Sequence, residues 1–167
     1  MYRIGFTGTR QGMTPQQAET FFKYLKMVYW VHPNNRIEFH HGDCAGADAQ
    51  AHAHVATTYG LETDIHIHPP TKEGLRAFCD MIERPMGKRT MTLVVHTPKD
   101  YLERNHDIVD ETDMLIATPG EEQEVQRSGT WATIRYARKQ KRTILTIYPS
   151  GRALFWDYRY PEVPYAP

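Results

Sequence analysis

The sequence has little of three features that would assign it to a specialised class of protein. Its two cysteines, Cys44 and Cys79, are too few for a disulfide scaffold. Its longest apolar stretches are only as long as a strand, so we expect no membrane-spanning segment. No N-terminal apolar run resembles a signal peptide. We therefore expect a reduced, cytoplasmic protein that has no membrane partner.

An excess of one charge is also missing, because lysine plus arginine and aspartate plus glutamate each number 20. A zero balance lacks the overall basic character that is typical of nucleic-acid-binding proteins, but it leaves local basic patches open. With 167 residues, the chain is expected to form one domain that buries about two-thirds of its unfolded surface.

What the chain does contain is a series of apolar, strand-like segments that alternate with helical patterns. Thr14, Pro15 and Gln17 predict a helix start with a capping box. Turn residues from His32 should end that helix, and Gly60 should end the next one. The alternation predicts an α/β fold with a doubly wound, mostly parallel sheet. The expected strands are 2–9, 37–42, 62–68, 91–95, 114–118 and 143–148, and the expected helices are 15–31, 46–59, 74–82, 100–112 and 128–140.

Two parts of the chain fit this alternation less well. Residues 71–97 are ambiguous, so the helix 74–82 and the strand 91–95 within them are candidates only. In the same segment we expect residues 83–89 to form an exposed, charged loop. Residues 150–167 follow the expected domain, residues 1–149, as an irregular tail rich in aromatics and proline. Such aromatics should pack on the domain or on a second subunit, so a homo-oligomer is one expectation.

Three glycine-bearing loops each follow an apolar strand and lead toward a helix. They are Gly5–Arg10, Gly42–Asp48, and a third loop that opens at Pro119–Gly120 and closes at Ser128–Thr130. In a parallel sheet such loops emerge at one edge, where backbone N–H groups and helix N-termini converge on an anion. A single loop of this kind is best read as a plain turn. Three of them together predict a nucleotide or phosphosugar pocket.

The side chains of these loops suit a phosphate group. Gly8 permits a tight turn, while Thr9 and Arg10 add a hydroxyl donor and a bidentate fork. Gly42 and Gly46 would let the backbone approach a ligand. The third loop adds candidates at another helix start, namely Ser128, Gly129 and Thr130.

Several of these motifs resemble those of known nucleotide-binding proteins. Gly42–His52 resembles the Gly-x-x-x-Gly-x-Asp-x-x-Ala-His signature of the DNA-processing protein A (Smf) group, and Gly5–Arg10 resembles the Gly-Ser/Thr-Arg loop of that group. Leu102–Asn105, Thr112–Ala117 and the third loop are similar to the cytokinin-activating "lonely guy" phosphoribohydrolases. All these groups belong to the SLOG superfamily of Rossmann-like domains. The resemblance covers residues 2–148, and small single-domain members related to the YpsA proteins are most similar in layout.

The resemblance implies a Rossmann-like three-layer sandwich that binds a nucleotide or a nucleotide-derived ligand and needs no cofactor. Arg76 joins the candidates because it follows the Pro69–Pro70 turn and could reach a phosphate. Loops and resemblance together give the expected ligand-binding residues: Gly8, Thr9, Arg10, Gly42, Asp43, Gly46, Asp48, Arg76, Arg104, Asn105, Pro119, Gly120, Ser128, Gly129 and Thr130.

The resemblance also implies a catalytic hypothesis, which this sequence fulfils only in part. In the phosphoribohydrolases, an Arg that matches Arg104 and a Glu just after the Gly-Thr pair act at the glycosidic bond. Here no carboxylate follows that pair, although N-glycosidic cleavage needs an anionic group near the developing oxocarbenium ion. Glu122, Asp43 or Asp48 could supply one. We therefore expect binding, in a sensor or sequestering role, with hydrolysis of a nucleoside monophosphate by Arg104 and Glu122 as the alternative.

A third hypothesis is single-stranded DNA binding, as in the Smf group. The best candidate surface for DNA is a set of cations near a helix C-terminus. Because the helix dipole stabilises cations there, the same set also fits an ordinary solvated face. The zero net charge makes nucleic acid the less favoured partner. The set comprises Arg135, Arg138, Lys139, Lys141 and Arg142.

Nine histidines raise the question of a metal site. His52 and His54 point to different sides of a helix and cannot chelate together. His66 and His68 share one strand face, but a zinc site needs a third protein ligand. We therefore expect no metal site. Cys44 lies at a helix start, where a thiolate is favoured, and a small packed thiol is its simpler interpretation.

Overall fold

An eight-stranded sheet organises the protein. The computed structural model describes residues 1–33, 36–59, 63–81 and 91–165. In chain order the elements are β1 (Tyr2–Gly8), α1 (Pro15–Val31), β2 (Ile37–His41), α2 (Ala47–Tyr59), β3 (Thr63–Ile67), β4 (Leu93–Val95), α3 (Tyr101–Asp110), β5 (Met114–Thr118), α4 (Gly129–Lys139), β6 (Thr143–Ile147), β7 (Ala153–Asp157) and β8 (Tyr160–Tyr165).

The strand order is β4-β3-β2-β1-β5-β6-β7-β8, and β1 to β6 run parallel. Phe21 of α1 and Val55 of α2 pack with one face of the sheet, and Trp131 of α4 packs with the other. Helices therefore cover both faces of a mostly parallel sheet, which confirms the predicted doubly wound, Rossmann-like sandwich.

Helix α1 begins as the sequence predicts. The backbone N–H of Gln17 donates to Thr14 Oγ1, and the Thr14 N–H donates to Gln17 Oε1, which completes the capping box. Gln17 is fully buried, and its Nε2 also donates to the carbonyls of Pro119 and Ile147. One side chain thus joins the start of α1 to the ends of β5 and β6.

The expected helix at residues 74–82 is wrong. Within the described part, two single 3₁₀ turns, Glu73–Leu75 and Cys79–Met81, take its place. The chain cannot continue as a helix because Asp43 holds it at two points: its carbonyl accepts from Ala77 N and its carboxylate accepts from Cys79 N. Gly60, the first residue of the expected strand 62–68 and the expected loop 83–89 lie outside the described residues.

The expectation of an irregular tail is also wrong. Strand β7 pairs antiparallel with β6, and β8 pairs antiparallel with β7, so the tail extends the sheet. Prolines at 161 and 164 obscured the second strand in the sequence, but β8 is an edge strand, where proline is tolerated. Phe155 and Tyr165 pack against Tyr24 of α1, with ring centroids 5.7 and 5.5 Å away.

No helix in the described ranges has both the length and the apolar character needed to span a bilayer.

Candidate functional site

The three predicted loops meet at the carboxyl edge of the sheet, where the strand order reverses between β1 and β5. The Thr9 N–H donates to the Thr118 carbonyl over 3.1 Å, and the Thr9 carbonyl accepts from Ala47 N over 3.0 Å. A Cβ at Gly120 would lie 3.2 Å from Thr9 Oγ1. Thr9 is therefore the residue that joins the other two loops to the first.

The glycines of the first two loops serve contacts within the protein. A Cβ at Gly8 would overlap Ala47 and Thr118, so this glycine lets β1 end close to α2 and β5. Gly46 has a φ of +91°, and a Cβ there would overlap the Arg10 carbonyl. These two positions explain how the loops pack so tightly, which the sequence could not distinguish from an approach to a ligand.

A cleft of about 570 Å³ opens beside these loops. Of the predicted site residues, Arg10, Ser128 and Gly129 line it. Lys72 and Arg127 also line it and were missed by the sequence reasoning. Their signal was position alone, since Lys72 follows β3 and Arg127 precedes Ser128, so both emerge at the same edge of the sheet.

The cleft is positively charged. Arg10, Lys72 and Arg127 contribute cations, whereas Asp100 is the only acidic group among the lining residues in the described part of the chain. Asp100 and Ser128 are also the N-caps of α3 and α4, and neither side chain makes a cap hydrogen bond. Because uncapped first-turn N–H groups carry partial positive charge, both helix starts can accept an anion in the cleft, but at α3 the Asp100 carboxylate opposes it.

Arg104 lies beneath this cleft, only 3% exposed. Its Nη2 donates to Cys44 Sγ over 2.9 Å, and its Nη1 is 4.0 Å from the Asp48 carboxylate. Its Nε has no hydrogen-bond partner among the residues that the structure describes. The ring of Tyr101, which lines the cleft, lies 5.0 Å from the guanidinium carbon. Arg104 is thus a buried cation whose nearest carboxylate is at the limit of an ion pair.

Gly42 is where Arg104 fits. A Cβ at this position would overlap Arg104 Nη1, so the guanidinium occupies the space that a side chain would fill. The space beside Gly42, which we predicted would admit a ligand, is therefore filled by Arg104.

Burial sets the protonation of the groups around Arg104. It raises the pKa of Asp48 to about 6, while Arg104 and the Cys44 N–H act in the opposite direction. Burial also raises the pKa of the Cys44 thiol, with Asp48 adding to the effect. A thiol, rather than the thiolate that a helix start alone would favour, is the form this environment supports.

Asp43 and Arg76, both predicted to contact the ligand, pair with each other. Arg76 Nε donates to Asp43 Oδ2 over 2.6 Å, and Arg76 Nη2 donates to Asp80 over 2.8 Å. Asp43 is fully buried with a φ of +55°, a conformation that aspartate tolerates better than most residues. This pair fixes the chain that leads from β3 into residues 76–80.

The other predicted residues support the cleft from behind. Asn105 Nδ2 donates to Thr133 Oγ1 over 2.8 Å and so joins α3 to α4. The Pro119 carbonyl accepts from Gln17, and Thr130 is buried. None of these three residues lines the cleft.

Glu122 does not line the cleft either. It is exposed, and its carboxylate accepts from Ser150 N over 2.6 Å. The neighbouring acids are also engaged, since Glu121 accepts from Trp131 Nε1 and Glu124 pairs with Arg135. This acidic loop closes against α4 and the turn after β6.

Comparison with protein-family profiles finds no match, and comparison with curated proteins finds none either. Among solved structures, one titled "X-ray structure of TM1055", a structural-genomics target, is similar with a TM-score of 0.54. The two chains are 15% identical, and the match covers 86% of this chain and 72% of that one. At this identity the likeness shows the fold alone, and it agrees with a Rossmann-like architecture.

Proposed function

We propose that this protein binds a nucleotide or a nucleotide-derived ligand in the cleft at the carboxyl edge of the sheet. The observation that carries the proposal is the convergence of Arg10, Lys72 and Arg127 with the uncapped starts of α3 and α4 on one cleft. The motifs that resemble the SLOG superfamily, placed on a Rossmann-like fold, support the same proposal.

The walls of the cleft favour a nucleotide over a bare anion. Its volume of about 570 Å³ falls within the range of small-molecule sites, roughly 300–1,000 Å³. Tyr101, Leu75 and Ala132 add apolar and aromatic surface next to the cations. An aromatic ring can stack on a base, while the cations and helix starts take the phosphates.

Hydrolysis of an N-glycosidic bond is the alternative for the same cleft, and it has less support. Glu122 accepts a hydrogen bond from Ser150 N rather than facing Arg104, and Asp43 is engaged by Arg76. Asp48 remains near Arg104, but burial raises its pKa and so opposes the anionic form that an oxocarbenium ion requires.

Single-stranded DNA binding also has less support. Arg135 and Arg138 both pair with Glu124, at 3.0 and 3.2 Å, and Arg142 donates to the Asp110 carbonyl. Cations that already have partners would have to leave them to reach a phosphate backbone.

Calorimetric titration with a panel of mononucleotides, cyclic nucleotides and ADP-ribose tests the proposal. We expect at least one ligand to bind, and Lys72→Ala and Arg127→Ala each to weaken it at least about 10-fold, because each removes a charge-assisted phosphate contact. Lys26→Ala is the matched control, since this exposed lysine lies on α1 and does not line the cleft.

Three outcomes separate the hypotheses. If no member of the panel binds, or if Lys26→Ala weakens binding as much as Lys72→Ala does, the proposal is wrong. Release of free base from a monophosphate would favour the hydrolase alternative. Binding of an oligonucleotide that weakens steeply with salt and depends on Arg138 would favour the DNA alternative.

A further inference from the structure

Four histidines and a glutamate form a cluster on the α3 side of the sheet. They are His40 at β2, His66 and His68 at the end of β3, His96 just after β4, and Glu111, which caps the C-terminus of α3. None of them lines the cleft. The cluster is therefore separate from the proposed nucleotide site.

The strand register brings these residues to one face. A Cβ at Gly5 would lie 3.0 Å from Ile108 Cγ2 of α3, so this position faces α3. His40 is in register with Gly5, and His66 is in register with His40, so both imidazoles point to the same side. The His96 N–H donates to the Ile67 carbonyl, which continues the parallel pairing beyond β4.

The nitrogen and oxygen atoms of the cluster converge. His40 Nδ1 lies 3.0 Å from His68 Nε2, and His66 Nδ1 lies 3.0 Å from His96 Nε2. The Glu111 Oε2 atom is 3.6 Å from His40 Nδ1 and 4.0 Å from His96 Nε2. Four residues, His40, His66, His96 and Glu111, each offer one such atom, and these four atoms all lie within 4.8 Å of one another.

We propose that His40, His66, His96 and Glu111 bind a divalent transition-metal ion of the zinc class. Three imidazoles and one carboxylate are a donor set that such ions accept, and tetrahedral zinc uses four ligands. With bonds of about 2.0–2.1 Å, the ligand atoms of a tetrahedral zinc ion lie roughly 3.3 Å apart. Three of the six separations, at 3.0, 3.6 and 4.0 Å, bracket this value, and all six are within 4.8 Å, so side-chain adjustments would complete the site.

A second observation, at His40, also supports metal binding by this cluster. His40 is 2% exposed, and within the described part of the chain its Nε2 has no hydrogen-bond partner, although Glu38 Oε2 lies 3.6 Å away. When His40 binds a metal through Nδ1, its Nε2–H faces a carboxylate that can orient the ring, as is common around metal-bound histidines.

Solvent reaches one side of the cluster. The side chains of His96 and Glu111 are 28% and 42% exposed, whereas that of His40 is 2% exposed. A metal ion can therefore enter past His96 and Glu111. His68, 3.8 Å from the Glu111 carboxylate, would lie beside the proposed ion as a further imidazole.

Zinc titration of the full chain after dialysis against a chelator tests this proposal. We expect one equivalent to bind, measured by calorimetry and by elemental analysis of the dialysed protein. His96→Ala and Glu111→Gln should each weaken binding at least 10-fold, because each removes a ligand. His106→Ala is the matched control, since this exposed histidine on α3 stacks on Tyr136 outside the cluster.

A measurement on the unaltered protein covers the case in which a variant fails to fold. Histidine side-chain NMR should show zinc-dependent shifts of His40, His66 and His96, and none of His106. Binding of less than one equivalent would overturn the proposal. So would an affinity that His96→Ala and His106→Ala change equally, or shifts confined to histidines outside the cluster. None of these results depends on a nucleotide, so failure here is distinct from failure of the proposed function.

Discussion

Gly42 and Arg104 show how one residue of this protein depends on another across the fold. The guanidinium fills the space beside the Gly42 Cα, and Cys44 and Tyr101 hold it there. The sequence marked both residues as candidates for the site, but it could not show that they contact each other. That contact depends on how close α3 lies to the loop after β2, which no local pattern records.

The substitution Gly42→Ala tests this contact. The added methyl group would overlap Arg104 Nη1, and Arg104 cannot swing away freely because it is buried. We expect a loss of about 1–3 kcal/mol in the free energy of unfolding, as for other overpacked sites. Urea unfolding measures it. Gly74→Ala is the control, because a Cβ there meets no atom of the described residues within 4 Å, and its effect should stay within about 0.5 kcal/mol.

Asp48 gives a prediction about pH. Burial raises its pKa to about 6 in the folded protein, above the value near 4 of the unfolded chain. Between these values the folded protein keeps a proton that the unfolded chain releases, so the contribution of Asp48 to stability is full below pH 4 and is lost as pH rises through 6. Relative to Asp48→Asn, the wild type should lose as much as about 3 kcal/mol over this interval.

Urea unfolding of both proteins at several pH values measures the difference. A difference between wild type and Asp48→Asn that stays constant from pH 4 to pH 7 would show that the pKa of Asp48 is not raised.

At the scale of the element, local sequence signals worked where they were strong. The Thr14–Gln17 capping box predicted the start of α1 correctly, because both partners lie within one turn. Strand β8 was missed because Pro164 looks unlike a strand residue, and only the sheet shows that β8 is an edge. The expected helix at residues 74–82 failed because Asp43, more than thirty residues earlier, binds the backbone there.

Gln17→Leu tests how α1 is fixed to the sheet. The leucine would keep the bulk of the side chain but leave the buried carbonyls of Pro119 and Ile147 without their donor, and it would remove half of the capping box. We expect a loss of at least about 2 kcal/mol in the free energy of unfolding. Chemical denaturation is the measurement. The exposed neighbour Gln16 is the control, and equal losses from Gln16→Leu and Gln17→Leu would contradict this account.

At the scale of the whole molecule, the fold class followed from the alternation of strands and helices, and the edge where the loops meet followed from the fold class. The cleft did not follow in detail. Lys72 lines it from a segment without a motif, and Arg127 lines it from the third loop, between that loop's two motif segments. Gly8 and Gly46, which belong to motifs, pack against the protein instead. The motifs predicted which edge of the sheet carries the site. Only the packing of the loops shows which residues line the cleft and which support it.

Self-association of the protein, which the aromatic residues of the tail suggested, remains a prediction. Strand β8 is an edge of the sheet and exposes Tyr160 and Val163. An exposed edge strand can pair with the same strand of a second copy.

The buried histidines predict that the whole protein loses stability as the pH falls. Burial lowers the pKa of His40 to about 3, and it also lowers those of His41, His52 and His66. The stabilisation from these neutral rings is present above the unfolded pKa near 6.5 and is lost as pH falls toward the folded values. Each histidine contributes a slope of up to about 1.4 kcal/mol per pH unit, and together they outweigh the opposite effect of Asp48.

Urea unfolding of the metal-free protein at pH 7.5, 6.5 and 5.5, with a chelator present, measures this sensitivity. We expect a fall between the first two values and a larger fall between the second and the third, because the unfolded histidines titrate near pH 6.5. An unfolding midpoint at pH 5.5 as high as at pH 7.5 would contradict the assignment of neutral buried histidines.

The central claim is that the cleft between the starts of α3 and α4 holds the phosphate of a nucleotide. A crystal structure of the protein grown with the nucleotide panel present tests it most directly. We expect phosphate density within hydrogen-bond distance of a first-turn N–H of α3 or α4 and of Arg10, Lys72 or Arg127. An empty cleft, or a nucleotide bound elsewhere on the protein, would contradict the claim.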